Sequence, residues 1–160
     1  ALRTEVETIV QRLDLENLVE VDEAEGGVVV RVVGQLLFDA GSIELRPESF
    51  VLLNEIARLI AAVPELVSIE GHTDETPAAT GSGMSNWHLS TGRTISVLDY
   101  LTRVKNVDPK RLNVSGYAAM RPLLPNDSDA NRERNRRVEF VFRRAKTPKQ
   151  NPELQRTASR

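Results

Sequence analysis

Val67-Ser68-Ile69-Glu70-Gly71 leads into His72-Thr73-Asp74, and Ser85-Asn86-Trp87-His88-Leu89-Ser90-Thr91-Gly92-Arg93 follows a stretch rich in Pro, Ala, Thr, Gly and Ser. The first run is β-branched and predicts a strand that delivers His72, Thr73 and Asp74 to its carboxyl end. The second predicts a helix starting near Asn86 and continuing through Leu89, Val97, Leu98 and Leu101. The small and polar residues over 76–85 predict the loop between them. A strand, a loop and a helix in this order form one crossover, and the rest of the fold is built outward from it.

Upstream, Pro47 suits the first turn of a helix that carries Phe50, Leu53, Ile56, Leu59 and Ile60 and stops before Pro64. Val19-Glu20-Val21 and Val28 to Val33 are short β-type runs separated by acids and Gly26-Gly27, a hairpin pattern. Before them, Leu2, Val6, Ile9, Val10 and Leu13 recur at helical spacing. Residues 1–18 are therefore read as an N-terminal amphipathic helix and linker, able to pack on the domain or against a second copy. Downstream, Leu112 to Tyr117 predicts a third core strand, Pro122 to Asp129 a loop, and Val138-Glu139-Phe140-Val141-Phe142 a half-buried strand. The order α–β–β–α–β–α–β–β predicts an α+β fold, an α-β sandwich with a mixed sheet, helices on one face and the last two strands running antiparallel. The domain is expected over 19–144, with a disordered tail over 145–160 where almost nothing can be buried.

The chain has 160 residues, 40% hydrophobic and 28% charged, enough for one domain with a core. No apolar run approaches the ~18–20 residues of a membrane span, no secretory signal is evident at Ala1, and there is no cysteine. The net charge of −2 is too balanced for a dedicated polyanion binder. The charge is uneven: residues 1–80 hold sixteen acids and five bases (−11), and residues 131–160 three and ten (+7). This split describes either complementary faces within the fold or a basic patch for an anionic ligand. The arginine run 131–137 lacks interleaved aromatics, so nucleic acid is not an expected partner.

The most informative pair is Asp74 with Arg93. A strand end and the start of the next helix meet at one edge of a sheet, so an anion and a guanidinium would face one cleft there. Arg takes a carboxylate through two parallel hydrogen bonds and Asp takes an ammonium, which together suit a zwitterionic amino-acid centre. A plain ion pair tying loop to helix is the alternative. Asp74 and Glu75 are adjacent and point apart, which disfavours a hydrolytic acid/base pair. His72, Asp74 and His88 match no established zinc spacing, so no metal and no cofactor are expected. Trp87 is read as packed at its helix start.

Ile69-Glu70-Gly71-His72-Thr73-Asp74, Ser85 to Arg93, Arg111-Leu112 through Ser115-Gly116-Tyr117 and Asn135-Arg136-Arg137-Val138-Glu139-Phe140 occur in the order that resembles the OmpA-like peptidoglycan-binding domain, over about residues 35–143. Within that family, Ser85-Asn86-Trp87, Leu124-Pro125-Asn126-Asp127-Ser128 and Phe38-Asp39-Ala40-Gly41-Ser42 look most like the MotB subfamily, the B subunits of flagellar motor stators. The resemblance implies a non-catalytic wall anchor that binds the diaminopimelate of the peptide stem, with Asp74 holding the ammonium and Arg93 the carboxylate. It places Thr73 beside the aspartate, Asn86 and Leu89 at pocket-shaping helix positions, and Arg137 on the cluster arginine next to the pocket. Gly92 stands where the family usually carries alanine, at a cost of about 1 kcal/mol in helix propensity. The implied partners are peptidoglycan, a second copy, and the stator A subunit through a membrane helix outside this chain. The implied location is the periplasm, with the full-length protein held in the inner membrane. Segment 1–18 is then the element expected to repack when the unit extends to the wall. A wall anchor of a lipoprotein, porin or secretion system is the alternative, and a wall-cleaving hydrolase would need a second carboxylate across the cleft.

Overall fold

Strands Val19–Ala24 (β1), Gly27–Val33 (β2), Leu66–His72 (β3), Leu112–Gly116 (β4) and Arg137–Arg143 (β5) form one sheet in the order β1–β2–β5–β3–β4. The computed structural model describes residues 1–24, 26–78 and 83–144. The tail expected over 145–160 lies outside them. Only β3 and β4 are parallel; β5 runs antiparallel to both neighbours, β2 and β3. The mixed sheet is as expected, but the last two strands are not neighbours. Strand β5 is inserted at the centre, where Phe140 and Phe142 are fully buried.

Helices Leu2–Arg12 (α1), Phe50–Ala62 (α3) and Asn86–Asp99 (α4) bury their apolar faces on one side of this sheet. Leu53, Ile56 and Ile60 of α3 and Val97 of α4 meet Val30, Val32, Val67, Ile69, Phe140 and Phe142 in one cluster. Val6 and Val10 of α1 belong to the same cluster, so the N-terminal helix packs on the domain. Ser85 caps α4: its hydroxyl accepts from the His88 N–H, and the His88 ring accepts from the Ser85 N–H. This is a reciprocal capping box with histidine in the place usually taken by Glu or Gln. Beyond Asp99 the helix continues as a π-type turn over Tyr100–Val104.

Two short α-helices among the described residues are not expected from the sequence pattern. Gly34–Leu37 (α2) is a single turn after β2, and Asp129–Asn135 (α5) occupies the stretch read as a loop and arginine cluster. Ser128 caps α5 by accepting from the Asn131 N–H at 3.1 Å, and Asp129 complements its first turn. That serine followed by an acid was the available signal, but the helix has almost no apolar residue to betray its period.

Asn135 ends α5 with no exposure at all. Its Oδ1 accepts from the Leu123 and Leu124 N–H groups at 2.8 and 2.9 Å, and its Nδ2 donates to the Leu124 carbonyl and to Asn126 Oδ1 at 2.7 and 2.8 Å. Asn135→Ala would leave two backbone donors without partners, so a loss of about 3 kcal/mol or more is expected. Urea denaturation should show a lower midpoint with an unchanged slope.

Candidate functional site

A cleft of about 510 Å³ opens where the carboxyl end of β3 faces the start of α4. Thr73, Asp74, Asn86, Leu89 and Arg93 all line it, together with Phe38, Asp39, Arg46 and Arg136. Five of the six residues expected from the sequence are thus brought to one hollow.

Arg93 is only 8% exposed. Its Nε donates to the Ser42 carbonyl at 2.9 Å and its Nη2 to the Asp39 carbonyl at 3.1 Å, with the guanidinium carbon 5.0 Å from the centre of the Phe38 ring. No carboxylate pairs with it among the described residues. Burial, and then the nearby positive charge of Arg136, lower its pKa to about 10, so it remains a cation at neutral pH while lacking a counter-ion. Gly92 explains part of this placement. A Cβ there would lie 3.0 Å from the Ile43 side chain, so the glycine lets the segment 39–43 lie close against α4 and offer its carbonyls to Arg93.

Asp74 is buried and fully engaged. Its Oδ1 accepts from the Thr76 N–H at 2.8 Å, and its Oδ2 pairs with the Arg136 guanidinium. The Thr73 hydroxyl donates to the Asp74 carbonyl at 2.8 Å, and Asn86 Nδ2 donates to the Thr76 carbonyl at 2.9 Å, tying the strand exit to the first turn of α4. No ion pair joins Asp74 to Arg93. The two groups face the same cleft without neutralising each other, and the salt bridge that spacing left open is not formed.

Arg137 is the expected residue that the fold does not bring to the cleft. Its guanidinium donates to the Asn135 and Arg121 carbonyls at 3.0 and 3.1 Å and pairs with Glu139 at 2.8 Å, on the sheet face away from the helices. Its neighbour Arg136 enters the cleft instead. Successive residues entering a strand point to opposite sides, and nothing in the pair of arginines marks which one turns inward. Arg46 was also missed; it donates to the Gln35 carbonyl at 2.7 Å at the cleft margin. Three arginines, Arg46, Arg93 and Arg136, therefore line the cleft with Asp39 and Asp74. Arg46 is paired with Asp39 at 3.7 Å and Glu48 at 3.5 Å and Arg136 with Asp74, which leaves Arg93 as the cation without a carboxylate among the described residues.

Trp87 is 51% exposed on α4, contrary to the expectation that it packs at the helix start. The histidines also separate. His88 serves the α4 cap, whereas His72 is buried on the outer face of the sheet, stacked on Tyr117 with ring centres 5.2 Å apart. Burial, then the charge of Arg137, lower the His72 pKa to about 4. Burial would raise Glu139, but the hydrogen bond and charge of Arg137, with Arg31 adding to them, hold its pKa below the usual range.

Among known proteins, the model of the OmpA family matches residues 37–136. Motility protein B of Bacillus subtilis (strain 168) is 30% identical over 142 residues, which cover 88% of this chain and 54% of that protein. The chain thus spans little more than half the length of this curated relative. A MotB-like protein from Desulfovibrio vulgaris superposes with a TM-score of 0.83 at 32% identity, over 92% of this chain and 91% of that one. The cell wall anchor of the T6SS from Pseudomonas aeruginosa superposes with a TM-score of 0.77 at 34% identity, over 89% of this chain and 99% of that one.

Proposed function

The chain belongs to the OmpA family, and from that premise we propose that it is a non-catalytic peptidoglycan-binding domain, anchoring a flagellar motor stator to the cell wall. The observation that carries the reading is the buried Arg93 cation without a carboxylate partner, in the same cleft as Asp74. A diaminopimelate side chain ends in an ammonium and a carboxylate on one carbon. Its carboxylate suits the free edge of Arg93, and its ammonium suits Asp74, which would share or exchange its Arg136 partner. Asn86 and Thr73 hold the loop in place and Leu89 offers an apolar contact to the aliphatic stem. Arg136, rather than the expected Arg137, supplies the second cation at the mouth. Recognition of this kind breaks no bond.

Likeness to motility protein B supports a stator setting: the periplasm, with the full-length protein held in the inner membrane, a second copy and the stator A subunit as partners. A second reading, a wall anchor of another apparatus, is favoured by the likeness to the T6SS anchor. The two share the cleft chemistry and differ in the partner. Complementation of a stator-deficient strain, by this domain grafted onto a motility protein B membrane segment, separates them.

Binding itself is tested by sedimenting the domain with purified diaminopimelate-type peptidoglycan and competing with free diaminopimelate. Co-sedimentation that free diaminopimelate reverses is the expected result. Asp74→Asn should weaken it by about 2 kcal/mol or more, since the ammonium loses its charged acceptor. Wild-type protein that stays in the supernatant overturns the proposal, as does an Asp74→Asn variant that binds as well as wild type.

A further inference from the structure

We propose that Glu70, His72 and Glu139 form a binding site for one divalent transition-metal ion of zinc's class, on the sheet face opposite the helices and apart from the cleft. Strand register creates the cluster. Glu70 on β3 lies directly opposite Glu139 on β5, and His72 lies one step along the same face, opposite Arg137. One potential ligand atom from each of the three lies within 4.8 Å of the others.

His72 is the observation that points to a ligand. It is 4% exposed, and neither ring nitrogen has a hydrogen-bond partner among the described residues. A neutral imidazole carries one donor and one acceptor, and leaving both unmet in the interior is costly. Its Nε2 is 4.0 Å from Glu139 Oε2, and Tyr117 is stacked on its face. One nitrogen and two carboxylates form a ligand set suited to zinc, with Zn–N and Zn–O distances of about 2.0–2.2 Å. Reaching them requires each ligand atom to move inward by roughly 1 Å or less, within the reach of glutamate rotamers.

The surroundings already orient the ligands. Arg31 and Arg137 donate to Glu139 Oε1 at 3.0 and 2.8 Å, leaving Oε2 toward the imidazole. Arg31 is also paired with Asp22 across the sheet, so its charge is shared. Arg143 approaches Glu70 Oε2 at 3.4 Å, leaving the other oxygen available. Carboxylates held by outer partners in this way are the usual support of a metal site.

The chain contains only two histidines, which gives a direct readout. In untagged protein, titration with zinc chloride followed through imidazole nitrogen NMR should shift the His72 signals, saturating at one equivalent, and leave His88 unmoved. Magnesium chloride should move neither. Zinc should raise the thermal midpoint of the wild type, and Glu70→Gln and Glu139→Gln should each weaken its binding at least about ten-fold. Glu139 is tied to two arginines and its variant could fail to fold. Glu70, whose side chain has Arg143 at 3.4 Å as its one ion-pair partner among the described residues, keeps the test decisive. Silence at His72 up to millimolar zinc overturns the proposal. Movement of His88 alone overturns it as adventitious surface binding, as does unchanged affinity in Glu70→Gln.

Discussion

Arg93→Met is expected to abolish wall binding while leaving the domain nearly as stable as before. Binding loses a charge-assisted fork, and truncating one partner of a desolvated charge pair costs about 2–5 kcal/mol, so affinity for diaminopimelate-bearing fragments should fall at least about 100-fold. Stability moves differently because no carboxylate among the described residues pairs with Arg93. A base whose pKa falls on folding, here to about 10, is less favourable as a cation in the folded state than in the unfolded one. The charge therefore opposes folding at neutral pH, and only above the folded pKa does that opposition disappear. Methionine removes the opposition and places an unbranched apolar side chain there instead, while the Phe38 ring loses its cation and the Ser42 and Asp39 carbonyls lose their donors. The two changes offset, and the unfolding free energy should stay within about 1 kcal/mol of wild type. Arg93→Lys should fail to bind almost as completely. One ammonium cannot meet two carbonyls and still present a planar pair of donors to a carboxylate. Fragment titration with parallel urea denaturation checks both halves. A variant that binds normally removes the cleft from consideration, and one that loses several kcal/mol makes Arg93 a structural residue.

The meeting of Asp74 and Arg93 was legible because it depends on local rules alone. A β-branched run ending in His72-Thr73-Asp74, and a capped helix carrying Arg93 two turns in, must meet at a sheet edge whatever the remaining topology. What each residue pairs with was not legible. Asp74 meets Arg136 from 62 positions away, a contact that exists only because β5 is inserted between β2 and β3. Alternation at 138–142 predicts a half-buried strand equally well at an edge or at the centre, and the two arrangements place different arginines near Asp74. The same one-residue ambiguity, which reverses every side chain in a strand, separates Arg136 in the cleft from Arg137 behind the sheet. Helix α5 escaped notice because its solvated arginines give no apolar stripe. The cluster of Glu70, His72 and Glu139 is likewise a product of register between strands far apart in the sequence.

Gly71→Ala is expected to destabilise the domain strongly and to disturb the cleft at the same time. Strand β3 has partners on both sides, and Gly71 pairs with Gly116 of β4 in register. Above this pair the backbone of α4 lies almost in contact with the sheet. A Cβ on Gly71 would stand 2.5 Å from the Ser90 carbonyl oxygen and 2.9 Å from the Thr94 methyl, and one on Gly116 would stand 2.2 Å from the Thr91 hydroxyl. The strand cannot retreat without breaking its ladders to β4 and β5, so the helix must lift. Overpacking of this kind costs about 1–3 kcal/mol and sometimes more, and here the obstacle is backbone, which has no rotamer to change. A loss of about 3 kcal/mol is therefore expected from urea denaturation. The same displacement carries Arg93, Leu89 and Asn86 away from Asp74, since all three ride on α4, so the folded fraction should also bind wall fragments more weakly than wild type. Gly92→Ala supplies the contrast on the same helix. Its new methyl meets the Ile43 γ2 methyl at 3.0 Å, a side-chain rather than a backbone obstacle, and alanine brings about 1 kcal/mol of helix propensity, so its net effect on stability should be smaller. Equal midpoints for Gly71→Ala and wild type would show that the helix does not press on the sheet at this glycine seam. The spacing of the two charged groups would then have to be set elsewhere.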